Sequence, residues 1–217
     1  MNYINCPLCS SSKTYLLCSK YIFKHQREFI QCKICDLIFV PKQFHLSEKE
    51  QINRYLQHNN SPTDLNYRKF LSKLLIPLSK RIPAKSNGLD YGSGPGPTLS
   101  IMLEEMGHNV SIYDLYFAPN NMILKKQYDF ITCTETVEHF SDPKTEFEKF
   151  QKMLNPKGWI GIMTSIIEDP KLFLDWHYNR DPTHLSFYSH KTMNWIAKKF
   201  NWTAKFYGLN VTLFKKY

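Results

Sequence analysis

Four of the six cysteines stand in two pairs, Cys6-Pro-Leu-Cys9 and Cys32-Lys-Ile-Cys35, separated by 22 residues. Thiolates at this spacing form a closed tetrahedral Zn²⁺ site of the ribbon type, and a chain without a secretory signal keeps its thiols reduced. Cys18 and Cys133 are left over and read as packing residues. A second constellation is Asp90-Tyr-Gly92-Ser93-Gly94-Pro-Gly96, which holds three of only eight glycines. Glycine at alternate positions lets the backbone turn sharply and meet a ligand without a Cβ in the way. Asp114 lies 20 residues beyond Gly94, the distance at which a carboxylate can accept ribose hydroxyls of an adenosine. The third glycine comes one residue too early for the G-x-G-x-x-G dinucleotide fingerprint. Two histidines suit proton removal near neutral pH: His139, in Glu135-Thr-Val-Glu138-His139, and His184, in Arg180-Asp-Pro-Thr-His184.

The elements that must position these residues fall into three stretches. Residues 1–45 carry the cysteine pairs on short alternating runs such as TYLLC and EFIQC and read as a small two-hairpin β module, which zinc would help to fold. Residues 46–85 read as a helical linker or cap: Ser47 and Glu50 form a capping box, and Phe70, Leu71, Leu74, Leu75 and Leu78 repeat at helical spacing. Within it Tyr55, His58, Asn59, Asp64, Tyr67 and Arg68 either fold over the ligand mouth or belong to a solvated linker.

From residue 86 to 217 strand and helix alternate, which predicts an α/β fold with a doubly wound, mostly parallel sheet. The strands end near Asp90, Asp114, Thr134 and Ser165, and ligands of such sheets sit at those carboxyl ends. Ser141 and Pro143 open one helix, NPKG turns it into the strand WIGIMTSI, and Ser189 caps another. The long connection around His184 reads as a lid or binding loop, with Trp176, Tyr178, Phe187 and Tyr188 either walling a pocket or packing beneath it. Only 14 residues separate Asp114 from Asp129, too few for a helix and a parallel strand, so the third strand of the sheet is expected to be reduced or absent.

Asp90-Tyr-Gly-Ser-Gly-Pro-Gly96, Asp114, YDFITCTETVEHF and NPKGWIGIMTS together resemble the class I S-adenosylmethionine-dependent methyltransferases, in a small bacterial subgroup, over nearly all of residues 86–217. The resemblance implies a Rossmann-like fold, S-adenosylmethionine as cofactor and methyl transfer as activity. It places the methionine portion over the turn of Asp90, Gly92, Ser93, Gly94 and Gly96, the ribose at Asp114, and the amino end near Thr134 and Glu135. Adenine then falls to Tyr116, Phe117 and their neighbours. His184, ahead of His139, is the expected base in the acceptor site.

Charge bears on the acceptor. Residues 1–85 hold 14 basic and 5 acidic side chains, so the whole surplus of +9 sits there. Basic surfaces attract acidic partners. The module's lysines, Lys13, Lys20, Lys24 and Lys33, are scattered, whereas nucleic-acid ribbons carry basic clusters interleaved with aromatics. The expected acceptor is therefore a small molecule, an anionic one included. A tRNA or rRNA substrate docked by the ribbon is the first alternative, and a non-catalytic cofactor-binding scaffold the second. No run approaches the roughly 20 apolar residues of a membrane span and MNYINCPLC lacks the features of a signal peptide, so the sequence reads as cytoplasmic with no membrane partner.

Overall fold

The computed structural model describes residues 4–22, 25–57 and 60–217, so Lys24, His58 and Asn59 lie outside the described residues. The main sheet is built from β4 (Asn87–Tyr91), β5 (Asn109–Tyr113), β6 (Tyr128–Thr134), β7 (Leu154–Met163), β9 (Trp202–Tyr207) and β10 (Val211–Lys216). Its strand order is β5-β4-β6-β7-β10-β9. β4 runs parallel to β5 and β6, and β6 parallel to β7. β10 is antiparallel to β7 and to β9. This is the expected α/β architecture. Among the described residues no strand lies between β5 and β6; the chain reverses instead through a bridge of Asp114 with Ala118 and a 3-10 turn at Ile123–Lys125.

Both faces of the sheet are covered. On one, α2 (Leu65–Ser79) packs Leu71, Leu74, Leu75 and Leu78 with Leu99, Met102 and Leu103 of α3 (Thr98–Glu105) onto Phe130, Met163 and Leu213. Each such buried leucine contributes about 1.5–3 kcal/mol. α2 begins after Asp64, whose carboxylate accepts from Asn66 and Tyr67 amides, and runs through Pro77 to Ser79. On the other face lie α4 (Pro143–Met153) and α5 (His190–Phe200), through Phe147, Phe150, Met153, Met193 and Ile196. Asp142, not Ser141, caps α4 by accepting from Thr145, because its carboxylate sits directly before Pro143. The NPKG segment is already part of β7, with Lys157 in the left-handed region. Ser189 caps α5 as expected.

The N-terminal strands β1 (Thr14–Ile22), β2 (His25–Cys32) and β3 (Ile38–Phe39) form an antiparallel sheet whose fourth strand, β8 (Ser186–Phe187), comes from the far half of the chain. Cys32, Cys35, Leu37 and Phe39 share one core with α4 and α5. The small sheet is thus fused to the segment that carries His184. Between them lies α1 (Glu48–Tyr55), opened by the capping box of Ser47 and Glu50. No helix among the described residues is long and apolar enough to cross a membrane.

Candidate functional site

The carboxyl ends of β4, β5 and β6 open into a cavity of about 570 Å³, within the range of roughly 300–1,000 Å³ usual for small-molecule sites. Asp90, Gly92, Ser93, Gly94, Gly96, Asp114, Thr134, Glu135, His139 and His184 all line it. The structure therefore brings together the glycine turn, the acidic residue after it, the end of β6 and both histidines, all singled out from the sequence.

The glycines do different work. At Gly92, φ is +77° and a Cβ would fall 2.2 Å from Thr136 Cγ2; at Gly96 it would fall 2.2 Å from the main-chain oxygen of Asn60. These two positions are reserved by packing. Gly94, with φ +64°, is the one of the three whose Cβ position is uncrowded, at van der Waals distance, 3.7 Å, from Asn60 Nδ2. Its amide donates to Asp114 Oδ2 at 2.9 Å, and Tyr116 and Phe117 amides donate to Oδ1 at 2.9 and 3.0 Å. A carboxylate offers about four lone-pair positions. Three are occupied, so Asp114 keeps room for one further donor rather than the pair anticipated from spacing. What it fixes is the chain itself, tying the glycine turn to the start of the shortened loop.

Asp90 is buried, accepts from Thr132 Oγ1 at 2.7 Å, and is pushed up to about 6 by burial. Ser93 Oγ is buried with no hydrogen-bond partner among the described residues. Glu135, left-handed at φ 47°, has its carboxyl pushed up to about 8, first by burial and then by Glu138. A non-glycine residue held there is stored strain at the mouth of a site. An orphaned hydroxyl and a carboxyl that awaits a positive neighbour are what the amino-acid end of a sulfonium cofactor would satisfy. The residues present fit S-adenosylmethionine.

At the other end of the cavity stand Gln51 and Tyr55 of α1, Tyr116, and the two histidines. The His139 ring lies 5.1 Å from that of Tyr55 and 4.9 Å from that of His184. His139 Nδ1 bonds Thr183 O at 3.0 Å and His184 Nδ1 bonds Tyr178 O at 2.7 Å. Because a carbonyl only accepts, each Nδ1 carries a proton, which in a neutral ring leaves the lone pair on Nε2. Burial, and then His139, pull His184 down to about 3, so its ring is neutral at physiological pH.

The loop bearing His184 is anchored from outside the main sheet. Arg54 of α1 grips Asp181 Oδ2 through Nε at 3.0 Å and Nη2 at 2.8 Å, and Thr183 donates to Oδ1. Despite burial, these bonds hold the Asp181 carboxyl well below its usual range. Arg27 of β2, 1% exposed, donates to Asp181 O at 2.9 Å and to His184 O.

Several of these residues carried no readable signal. Arg27, Arg54 and Asp181 look like solvated charges in the sequence. Glu138 was visible beside His139, but its complete burial was not; its Oε1 accepts from Tyr178 OH and burial raises it above the usual carboxyl range. Of the upstream residues, Tyr55 and Tyr67 line the cavity, Asp64 caps α2, and Arg68 pairs with Glu105. Trp176, Tyr178, Phe187 and Tyr188 pack beneath the loop, with Tyr188 OH on Val137 O. The adenine candidates Tyr116 and Phe117 both reach the cavity.

Cys6, Cys9, Cys32 and Cys35 converge, their sulfurs all within 4.8 Å of one another. Cys6 and Cys35 are 3.5 Å apart at Sγ, Cys9 and Cys32 3.4 Å. Ligands at about 2.3 Å from a tetrahedral ion would stand about 3.8 Å apart. Each pair sits on the same kind of turn: Ser10 donates to Cys6 O and Asp36 to Cys32 O, and both are left-handed, at φ 61° and 68°. Cys18 is half-buried and Cys133 buried, as packing residues.

Comparison with known proteins gives concordant results. A family model described as "Methyltransferase domain" matches residues 64–205. The chain is 28% identical over 91 residues to the ubiquinone biosynthesis O-methyltransferase of Pseudomonas savastanoi pv. phaseolicola (strain 1448A / Race 6), covering 42% of this chain and 39% of that protein. The match therefore spans well under half of the relative. Among solved structures, a SAM dependent methyltransferase from Archaeoglobus fulgidus superposes with TM-score 0.55 at 15% identity, over 78% of this chain and 100% of that one. The 1,6-didemethyltoxoflavin-N1-methyltransferase of Burkholderia thailandensis, solved with 1,6-didemethyltoxoflavin and S-adenosylhomocysteine bound, gives 0.50 at 14% identity, over 91% and 98%. At these identities the likeness is one of fold.

Proposed function

Because this chain belongs to the methyltransferase-domain family, we propose that it is an S-adenosylmethionine-dependent methyltransferase acting on a hydroxyl or amine of a small molecule. The observation that carries the reading is a single cavity with the glycine turn and Asp114 at one end and two histidines, each with a free Nε2, at the other.

S-adenosylmethionine, when bound, supplies an electrophilic methyl group on a sulfonium. Asp90, Ser93, Thr134 and Glu135 would hold its amino-acid end, where a neighbouring positive charge would favour the ionised form of the Glu135 carboxyl. The open face of Gly94 leaves space for it, and Asp114 would take a ribose hydroxyl with its remaining lone pair. Tyr116 and Phe117 would flank the adenine.

Displacement at a methyl group needs the nucleophile held in line and water kept away. Tyr55 and Gln51 close the acceptor end, Gln51 Oε1 accepting from Tyr116 OH at 3.3 Å. His139 and His184 each present Nε2, and a lone pair there would accept the acceptor's proton. The four-cysteine cluster is read as a structural zinc site, closed to substrate, that shapes the module against the His184 loop. The aromatic residues around this end and the limited volume of the cavity support a sugar- or ring-sized acceptor rather than a polynucleotide; one relative is named as an O-methyltransferase of ubiquinone biosynthesis, which also points to a small-molecule acceptor.

Calorimetry with S-adenosylhomocysteine and a radiolabelled methyl-transfer screen over small hydroxylated acceptors test this. We expect cofactor binding, and methylated product that His184→Ala reduces while cofactor affinity stays near wild type. A chain that binds a nicotinamide dinucleotide instead would overturn the reading.

A further inference from the structure

We propose that Glu138, His139 and His184 form a binding site for a divalent transition-metal cation at the acceptor end of the cavity, separate from the cysteine cluster. Its role rests on the function proposed above; its existence is a matter of geometry. The three side chains can bring one ligand atom each to within 4.8 Å of the others, and all three line the cavity.

Three features of the coordination chemistry agree. First, both histidines donate Nδ1–H to a main-chain carbonyl, Thr183 O at 3.0 Å and Tyr178 O at 2.7 Å. That arrangement fixes the tautomer with Nε2 free and is the one found behind metal-bound imidazoles. Second, Glu138 is fully buried, yet its Oε2 has no hydrogen-bond partner among the described residues while Oε1 accepts from Tyr178 OH. Protonating Oε2 does not solve this, since the proton would also lack an acceptor. A cation satisfies the oxygen and compensates the charge. Third, carboxyl groups stand beside the cations around the trio: Glu135 borders it, and Asp181 behind His184 pairs with Arg54 and lies close to the buried Arg27.

Two imidazoles and one carboxylate favour a borderline ion such as Mn²⁺, Fe²⁺, Co²⁺ or Zn²⁺ over an all-oxygen ion, and leave further coordination positions open. Those positions would face the cavity. The ligand class that follows is an acceptor with two adjacent oxygens, a vicinal diol or hydroxy-carbonyl, able to chelate the ion; coordination lowers the proton affinity of a bound hydroxyl, whose proton then leaves to solvent as the acceptor binds, since the ligating Nε2 atoms would take the place of a base rather than act as one.

The test uses the full chain purified with zinc in its cysteine cluster and titrated with Mn²⁺, followed by loss of the free-ion electron paramagnetic resonance signal. We expect one Mn²⁺ per chain. His139→Gln and His184→Gln should each weaken it at least about tenfold, with S-adenosylhomocysteine affinity within about twofold of wild type. Glu138→Gln should do the same, and the histidine variants decide the matter if that variant fails to fold. No Mn²⁺ uptake into the millimolar range, or uptake unchanged in both histidine variants, overturns the site. Uptake of S-adenosylhomocysteine without Mn²⁺ would leave the proposed function standing and remove this inference; uptake of Mn²⁺ alone would do the reverse.

Discussion

The Arg27 guanidinium, on the second strand of the N-terminal hairpin, donates to the main-chain oxygen of His184, 157 residues further along the chain. A second bond reaches Asp181 O, and the guanidinium lies 5.3 Å from the Phe29 ring centroid. The N-terminal module is thereby part of the scaffold of the acceptor loop. Arg27→Met would leave two carbonyls without these donors, and should destabilise the chain by about 2–3 kcal/mol in denaturant titration. It should also lower kcat by about tenfold or more through misplacement of the loop, with cofactor affinity unchanged. Equal losses in kcat and cofactor affinity would contradict a role confined to this loop.

Asp114 accepts three main-chain amides, from Gly94, Tyr116 and Phe117. Asp114→Ala should therefore reduce S-adenosylhomocysteine affinity by at least about a hundredfold in calorimetry, because one change removes both a ribose acceptor and the tether of the turn. Undiminished affinity would refute the ribose assignment.

Asp90 offers a pH test. Burial raises its carboxyl from the ordinary 3.8 to about 6, so between these values the folded chain binds more protons than the unfolded one. The sign follows: this group favours folding at low pH and progressively opposes it as pH rises through that window. Asp90→Asn keeps an oxygen for Thr132 and should stabilise the ligand-free protein above pH 6 by an amount on the order of 2–3 kcal/mol. The difference from wild type should shrink to nothing below about pH 4. Thermal melting of both proteins across that range reads it directly, and a constant difference would show that the charge is not the cause.

Metal analysis of the His139→Gln, His184→Gln double variant should find one zinc per chain, held by Cys6, Cys9, Cys32 and Cys35. Chelation should abolish the antiparallel pairing of the N-terminal strands, read by hydrogen exchange at Phe29–Gln31, because so small a sheet lacks a core of its own. Exchange at β4 and β6 should change little. Protein purified without chelator and free of metal would overturn the zinc assignment.

The sequence by itself determined the alternation of strand and helix, the missing third strand, the glycine turn with Asp114 and the two cysteine pairs. Each is a local matter: spacing, chain length and residue type within about 30 positions restrict backbone conformation and metal geometry regardless of what packs around them. Tertiary structure alone decided what those residues do to one another. Gly96 is required by Asn60 O and Gly92 by Thr136, contacts between segments remote in the chain. Glu138 became buried, and His184 was fixed by Arg27 and Arg54, only once β8 joined the N-terminal sheet. Burial and hydrogen bonding depend on the whole fold, and they turn ordinary surface-type residues into members of a site.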